Sequence, residues 1–272
     1  MITLMLAKRV ATALTLAPLV ILGVLYLSPS WFSLVIGIMT CIASWEYCKL
    51  IKLSGFSNRA FYITVLLACA FLLAISPLIL KPTLYLVSIW WLAALFVVVG
   101  FPNNSKLINK NLVLGLFNGL FLLAPMAAAL GILHSQERSL VLLLLFVIWA
   151  SDIGAYFSGK QFGRKKLCPE VSPNKTFEGV YGGVFLAQAV AVTFAVVTIQ
   201  EPKTNDFLVF CFLALIVSLV SVLGDLFESA LKRVNNQKDS GNLLPGHGGL
   251  LDRIDSLTAS APIFLMLVVF VI

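Results

Sequence analysis

The chain has 272 residues, of which 60% are hydrophobic and 11% charged, against roughly 25% charged in a soluble domain. A mean hydropathy of +1.00 leaves no room for a sizeable soluble domain and marks a polytopic membrane protein. The net charge of +7 does not point to nucleic acid, because the basic residues flank apolar stretches, as orientation signals and contacts to anionic lipid do.

Lys8 and Arg9 precede an apolar run over about 10–27. A signal peptide has that pattern too, but many more runs of about 20 apolar residues follow, so this one is read as a retained first helix. The later runs cover roughly 31–48, 60–80, 83–100, 111–133, 139–157, 179–199, 207–228 and 254–272. The expectation is an all-α polytopic membrane protein with about nine transmembrane helices. With the N-terminus in the cytoplasm, 16 of the 19 basic residues fall on the inner side, leaving Lys81, Arg138 and Lys203 outside. That split obeys the positive-inside rule, and an odd number of spans puts the C-terminus outside. The chain divides into an N-terminal transmembrane bundle of about five spans (1–135) and a C-terminal transmembrane region (136–272). The cytoplasmic loops of the second part, 158–178 and 229–253, are where chemistry is expected.

The first half offers little polar chemistry. Trp45, Glu46 and Tyr47 stand at the inner end of the second span, where an interfacial Trp–Tyr belt is the better reading than a role in substrate binding. His134 lies with Glu137 and Arg138 in a short outer loop and is expected to be solvated. Cys41, Cys48, Cys69 and Cys211 fall inside spans as packing residues, and Cys168 is a reduced thiol in an inner loop; none has metal-ligand spacing.

Ten of the twelve acidic residues lie from Asp152 onward. On a helix Asp152 shares a face with Tyr156 and with Gly159 and Lys160, so a carboxylate inside the span points toward the basic loop of Lys160, Arg164, Lys165 and Lys166. A substrate role is the better reading than a bond to a neighbouring helix. Next comes SPNKTFEG, where Ser172 is expected to cap a helix with Pro173 at its first position. That helix start would present free N–H groups beside Lys175 and Thr176, an arrangement suited to an anion. Further on, Ser221, Asp225 and Glu228 fall at i, i+4 and i+7, and Asp252 and Asp255 at i and i+3. Two helices offering carboxylates at one depth could hold a divalent ion between them. The stretch between carries Lys232, Arg233, Lys238, Asp239 and the turn Pro245-Gly246-His247-Gly248-Gly249, whose glycines let backbone approach a ligand closely. Ionisable groups next to hydrocarbon are costly, so their concentration in this run marks a polar site, and acid with base suggests metal-bridged phosphate chemistry.

Ser229, Leu231, Lys232, Arg233, Lys238, Asp239, Gly241, Leu244, Pro245, His247, Gly248, Gly249, Leu250, Asp252, Arg253, Ile254 and Asp255 resemble the full signature of the phosphatidate cytidylyltransferases, or CDP-diacylglycerol synthases, without departure. The resemblance implies transfer of a cytidylyl group from CTP to phosphatidic acid, yielding CDP-diacylglycerol and pyrophosphate. It implies Asp225 and Asp252 as the pair that coordinates magnesium, with Asp255 and Asp239 as supporting carboxylates. Lys232, Arg233, Lys238 and Arg253 would then bind phosphates, and Gly246, His247, Gly248 and Gly249 would shape the nucleotide pocket. Asp152, Lys160, Lys166, Ser172, Lys175 and Thr176 would complete the substrate site. The likeness also allows a monovalent cation such as K+ beside the magnesium ion, and a homodimer. A compact chain of this kind fits a bacterial inner membrane with its site toward the cytoplasm. The competing readings are a CTP-dependent lipid kinase, set aside only by the signature, and an ion-coupled transporter, disfavoured because polar residues cluster at one surface rather than at the midplane. No Asp-Gly dipeptide, with which the motif of the alcohol phosphotransferases opens, occurs.

Overall fold

The computed structural model describes residues 15–109, 111–241, 243 and 248–271. Long apolar runs have one stable outcome in lipid: a helix, which satisfies its own backbone polar groups. Eight helices among the described residues are long and apolar enough to cross a membrane. They are α2 (Pro29–Leu50), α3 (Phe56–Ile75), α4 (Pro77–Val99), α6 (Leu112–Gln136), α7 (Arg138–Phe162), α8 (Phe177–Thr198), α9 (Thr204–Val234) and α10 (Leu251–Val271). A preceding helix α1 is described over Thr15–Tyr26; the first predicted run begins outside the described residues. The short α5 (Lys106–Asn109) completes the helices. The protein is therefore an all-α integral membrane protein, with one two-stranded hairpin, between α7 and α8, among the described residues.

Local signals set the helix ends. Pro29 and Pro77 occupy the first turns of α2 and α4, where a missing N–H costs nothing. Asn111 caps α6 by accepting from the Leu114 N–H at 2.9 Å. The 31 residues of α9 span roughly 46 Å at 1.5 Å per residue, more than the roughly 30 Å of a hydrocarbon core. Its charged end, predicted as loop, is helical to Val234.

Small residues decide how closely the helices pack. The buried stripe of α8 is Gly179, Gly183, Ala187, Ala191 and Ala195, one residue per turn. It faces Ser151, Gly154 and Gly159 of α7: a Cβ at Gly154 would strike the Gly182 carbonyl, and one at Gly183 the Ser151 carbonyl. Such stripes let helix backbones approach in lipid, where burial of apolar surface drives nothing. Large side chains including Trp31, Phe61, Phe71, Leu92, Phe185 and Val197 stay exposed on the outside, as lipid-facing residues do.

Two expectations for the first half are overturned. His134 lies in the last turn of α6 and is 2% exposed. Its Nε2 is 2.9 Å from the Val24 carbonyl and its ring stacks on Phe32 at 3.9 Å, so it ties α1 and α2 to α6 rather than meeting solvent. Tyr47 is fully buried, its hydroxyl donating to the Gly115 carbonyl at 2.7 Å. Trp45 alone keeps a surface role, edge-on to Phe56 and under the Arg59 guanidinium.

If the α7–α8 contact rests on absent side chains, Gly154→Val should destabilise by about 1–3 kcal/mol through overpacking. Gly37, which has open space around its Cβ position, should take valine with little effect. Thermal unfolding of both variants in detergent checks the difference.

Candidate active site

The site begins where α9 and α10 cross. A Cβ at Gly224 would run into the Asp255 carbonyl and Ala259, so only glycine permits this approach. Ser256 Oγ donates to the Ser221 carbonyl at 3.2 Å across the same crossing. The close crossing sets Asp225 and Glu228 of α9 against Asp252 and Asp255 of α10. Ser221 itself is buried and bonded to the Ser218 carbonyl, so the polar stripe predicted on α9 delivers two carboxylates rather than three polar ligands.

Two charged assemblies result. In the more enclosed one, Lys232 Nζ lies 2.7 Å from Asp252 Oδ1 and 3.3 Å from Glu228 Oε2, with side chains 12%, 5% and 4% exposed. Asp252 also accepts from Ser240 N at 3.0 Å and from Gly249 N at 2.8 Å. Glu228 is buried within side-chain hydrogen-bonding reach of Asp255. In the more open assembly, Lys175 Nζ contacts Asp225 Oδ2 at 2.7 Å, and Ser229 Oγ donates to Asp225 Oδ1 at 3.3 Å. Asp225 is near enough for its charge to act on both Asp152 and Asp255, with Lys175 acting on the same two and Arg253 on Asp152.

Lys175 is brought there by the hairpin. Strand β1 (Lys166–Cys168) pairs antiparallel with β2 (Ser172–Thr176), Lys166 opposite Thr176 and Cys168 opposite Ser172. Pro169 opens the turn, which the Val171 N–H to Cys168 carbonyl bond closes at 3.2 Å, the position proline's fixed φ favours. Arg233 Nε donates to the Val171 carbonyl at 3.2 Å, docking the tip on the end of α9. Burial pushes the Cys168 thiol up, against the pull of Lys175, which leaves it a packing group.

This corrects the helix start. Ser172 is not a cap and Pro173 not a first helical residue: both lie in β2, where a partner strand takes the backbone and a proline at the edge loses no needed bond. Helix α8 starts at Phe177, capped by Thr176, whose hydroxyl accepts from the Gly179 N–H at 3.1 Å. Glu178 fills the first turn and accepts from the Lys165 N–H at 3.2 Å.

The remaining predicted residues are spread around this centre. Lys160 lies 5.8 Å from the Tyr156 ring and Lys166 is exposed on β1; among the described residues neither pairs with a carboxylate. Lys238 and Asp239 are exposed. Gly246 and His247 lie outside the described residues. Gly248 has φ +80° and sits against the Asp252 carboxylate. Gly241 and Gly249 sit against Glu46, on which a Cβ at either position would fall. The close neighbours of these three glycines include the carboxylates of Glu46 and Asp252, with Ser240 Oγ beside Gly249.

Glu46 was missed as a site residue. It is 4% exposed, and its Oε2 accepts from the Leu251 N–H at 2.9 Å and from Ser240 Oγ at 3.3 Å. The available signal was its isolation, since no other acid precedes Glu137 in the sequence, and an isolated carboxylate in an apolar helix is costly unless it has a task.

Beside the charged centre lies an apolar groove of about 880 Å³. Trp91, Leu95 and Val99 of α4, Phe177 and Tyr181 of α8, and Leu219, Leu223 and Leu226 of α9 line it, and hairpin residues 167–171 close one end. Leu226 adjoins Asp225 in sequence, and Val171 joins groove and Arg233, so groove and charges share walls.

Comparison with known proteins identifies the family. A family model described as the cytidylyltransferase family matches residues 7–271. A phosphatidate cytidylyltransferase of Pseudomonas aeruginosa is 39% identical over 263 residues, 96% of each chain. One of Haemophilus influenzae is 37% identical over 291 residues, covering 98% of this chain and 100% of that protein. One of Bacillus subtilis is 50% identical over 125 residues, 46% of this chain and 45% of that protein. A match over nearly the whole length, through every helix that builds the charged centre, shows that this chain belongs to the cytidylyltransferase family.

Proposed function

We infer that this protein transfers the cytidylyl group of CTP to phosphatidic acid, forming CDP-diacylglycerol and releasing pyrophosphate. The observation that carries the reading is the charged centre of α9 and α10 with Lys175, set beside an apolar groove in a chain akin over its full length to phosphatidate cytidylyltransferases. A lipid phosphate oxygen attacks the α-phosphorus of CTP. The bond from that phosphorus to the bridging oxygen breaks, and pyrophosphate leaves. Phosphatidate is already anionic at neutral pH, so no general base is required, and His247 is read as a binding residue.

Each basic group has a task in this scheme. Lys175 can pass from Asp225 to a phosphate without losing an ionic partner. Lys232 has three N–H donors, two of them directed at Glu228 and Asp252, and it keeps these carboxylates from repelling the triphosphate. Arg233 holds the hairpin through Nε while its side chain remains exposed. Lys238 and Arg253, also exposed, extend the positive rim. The lipid tails lie along the groove, which opens beside the charges.

The carboxylates suit magnesium by chemistry, being hard oxygen donors. Among the described residues no three His, Cys or acidic side chains gather as a metal-holding group. That fits an ion taking one or two protein carboxylates with the remaining oxygens from substrate phosphates. Asp225 and Asp252 are the proposed holders, Asp255 their support; Asp225 is the more accessible, since three donors already occupy Asp252. When bound, the ion would neutralise the triphosphate and favour departure of pyrophosphate. The charged centre is proposed to face the cytoplasm of a bacterial inner membrane, because a cytoplasmic N-terminus would put 16 of the 19 basic residues on that side.

Purified protein in detergent–phosphatidate micelles with magnesium should move label from [α-32P]CTP, but not from [γ-32P]CTP, into lipid. Label entering lipid from the γ-position would mark a kinase, and no transfer of either would favour a carrier. Asp225→Asn should lower turnover by about a hundredfold or more, the scale for losing a key electrostatic contact to reacting phosphate, with the folded yield unchanged. Lys81→Ala, at the far end of α4, should keep the full rate; a large loss there would contradict the site's placement.

A further inference from the structure

We propose that Glu46 is a positioning residue that holds both ends of the glycine-rich loop at the cytidylyl-transfer site. The proposal rests on the function inferred above and adds a member from the half of the chain otherwise without chemistry.

Glu46 sits on α2, 194 residues before Ser240 and 205 before Leu251. Its Oε2 accepts from the Ser240 hydroxyl, where the chain enters the loop, and from the Leu251 N–H, where it leaves. Leu251 is the first residue of α10, so this N–H is one of the donors a helix start leaves without an internal partner. The carboxylate also lies at the positive end of that helix's dipole. Gly241 and Gly249, one on each limb, press against the same side chain, which leaves no space for a Cβ. From the other side Asp252 accepts from Ser240 N and Gly249 N. Two carboxylates from two helices thus close the base of one loop. The basic residues assigned to phosphate, Lys238 and Arg253, project from just outside this clasp.

A buried carboxylate is tolerated only where its hydrogen bonds compensate for the lost hydration. Here those bonds connect α2 to the loop and not to any groups a substrate could use. Glu46 therefore acts through the loop and never touches the nucleotide.

The test compares full-length wild type with Glu46→Ala, Glu46→Gln and Gly249→Ala in phosphatidate micelles, varying each substrate separately. Glu46→Ala and Gly249→Ala should raise KM for CTP about tenfold or more, as small misplacements of binding groups do, with KM for phosphatidate within about twofold of wild type. Glu46→Gln, whose amide oxygen can still accept from Leu251, should recover most of the loss. Amide hydrogen exchange should speed up at Leu251 in Glu46→Ala. An unchanged KM for CTP in Glu46→Ala, or in Gly249→Ala if the first does not fold, overturns the proposal, as does an equal rise for both substrates. Unchanged exchange at Leu251 overturns the clasp itself. A wild-type protein that transfers no cytidylyl group overturns instead the function on which the proposal rests.

Discussion

The Lys232–Asp252 ion pair is the constraint around which the rest of the site is arranged. Lys232 is held between Glu228 and Asp252 with all three side chains nearly enclosed, and removing the lysine would leave two carboxylates without their cation, a loss of about 3–5 kcal/mol for a broken buried pair. Asp252 also accepts from the backbone N–H groups of Ser240 and Gly249. The pair thereby fixes the angle between α9 and α10 and the path of the loop that joins them. Glu46 adds α2 to the same junction.

Around this junction small residues do the work that apolar burial does in water. Gly224 brings α9 to α10, and the Gly/Ala stripe of α8 brings it to α7. The second contact matters for chemistry because α7 carries Asp152 and α8 anchors the hairpin that delivers Lys175. Bulkier residues at either crossing would move Asp152 and Asp255 away from Asp225, whose charge Lys175 meets. The groove is the counterpart of this crowding: α4 stands away from α8 over the α9 surface, leaving apolar space beside the charges.

The arrangement matches a reaction between a lipid and a highly charged nucleotide. Carboxylates alone would repel CTP, and lysines alone would hold it without aligning it. Alternating the two along one helix crossing allows each phosphate to meet a partner only when the pieces are assembled, which is how electrostatic preorganisation distinguishes a transition state from a loosely bound ground state.

The sequence by itself determined the membrane class, the helices and the identity of the charged centre. Twenty apolar residues in lipid have a single backbone solution, and charges beside hydrocarbon survive only with a purpose, so both are properties of local composition. Asp152, Lys175, Asp225, Lys232, Asp252 and Asp255 were readable for that reason, although reading their contacts was not possible. Only the tertiary structure decided that residues 172–176 are strand, because their partner is another segment and proline forbids neither strand edge nor helix start. It also moved His134 from solvent to a stack on Phe32, set Gly248 against Asp252 and Gly249 against Glu46, and brought Glu46 to Ser240 and Leu251. Each of these is a contact between groups far apart in the chain, set by how closely helices approach, and no periodicity or spacing along one segment encodes it.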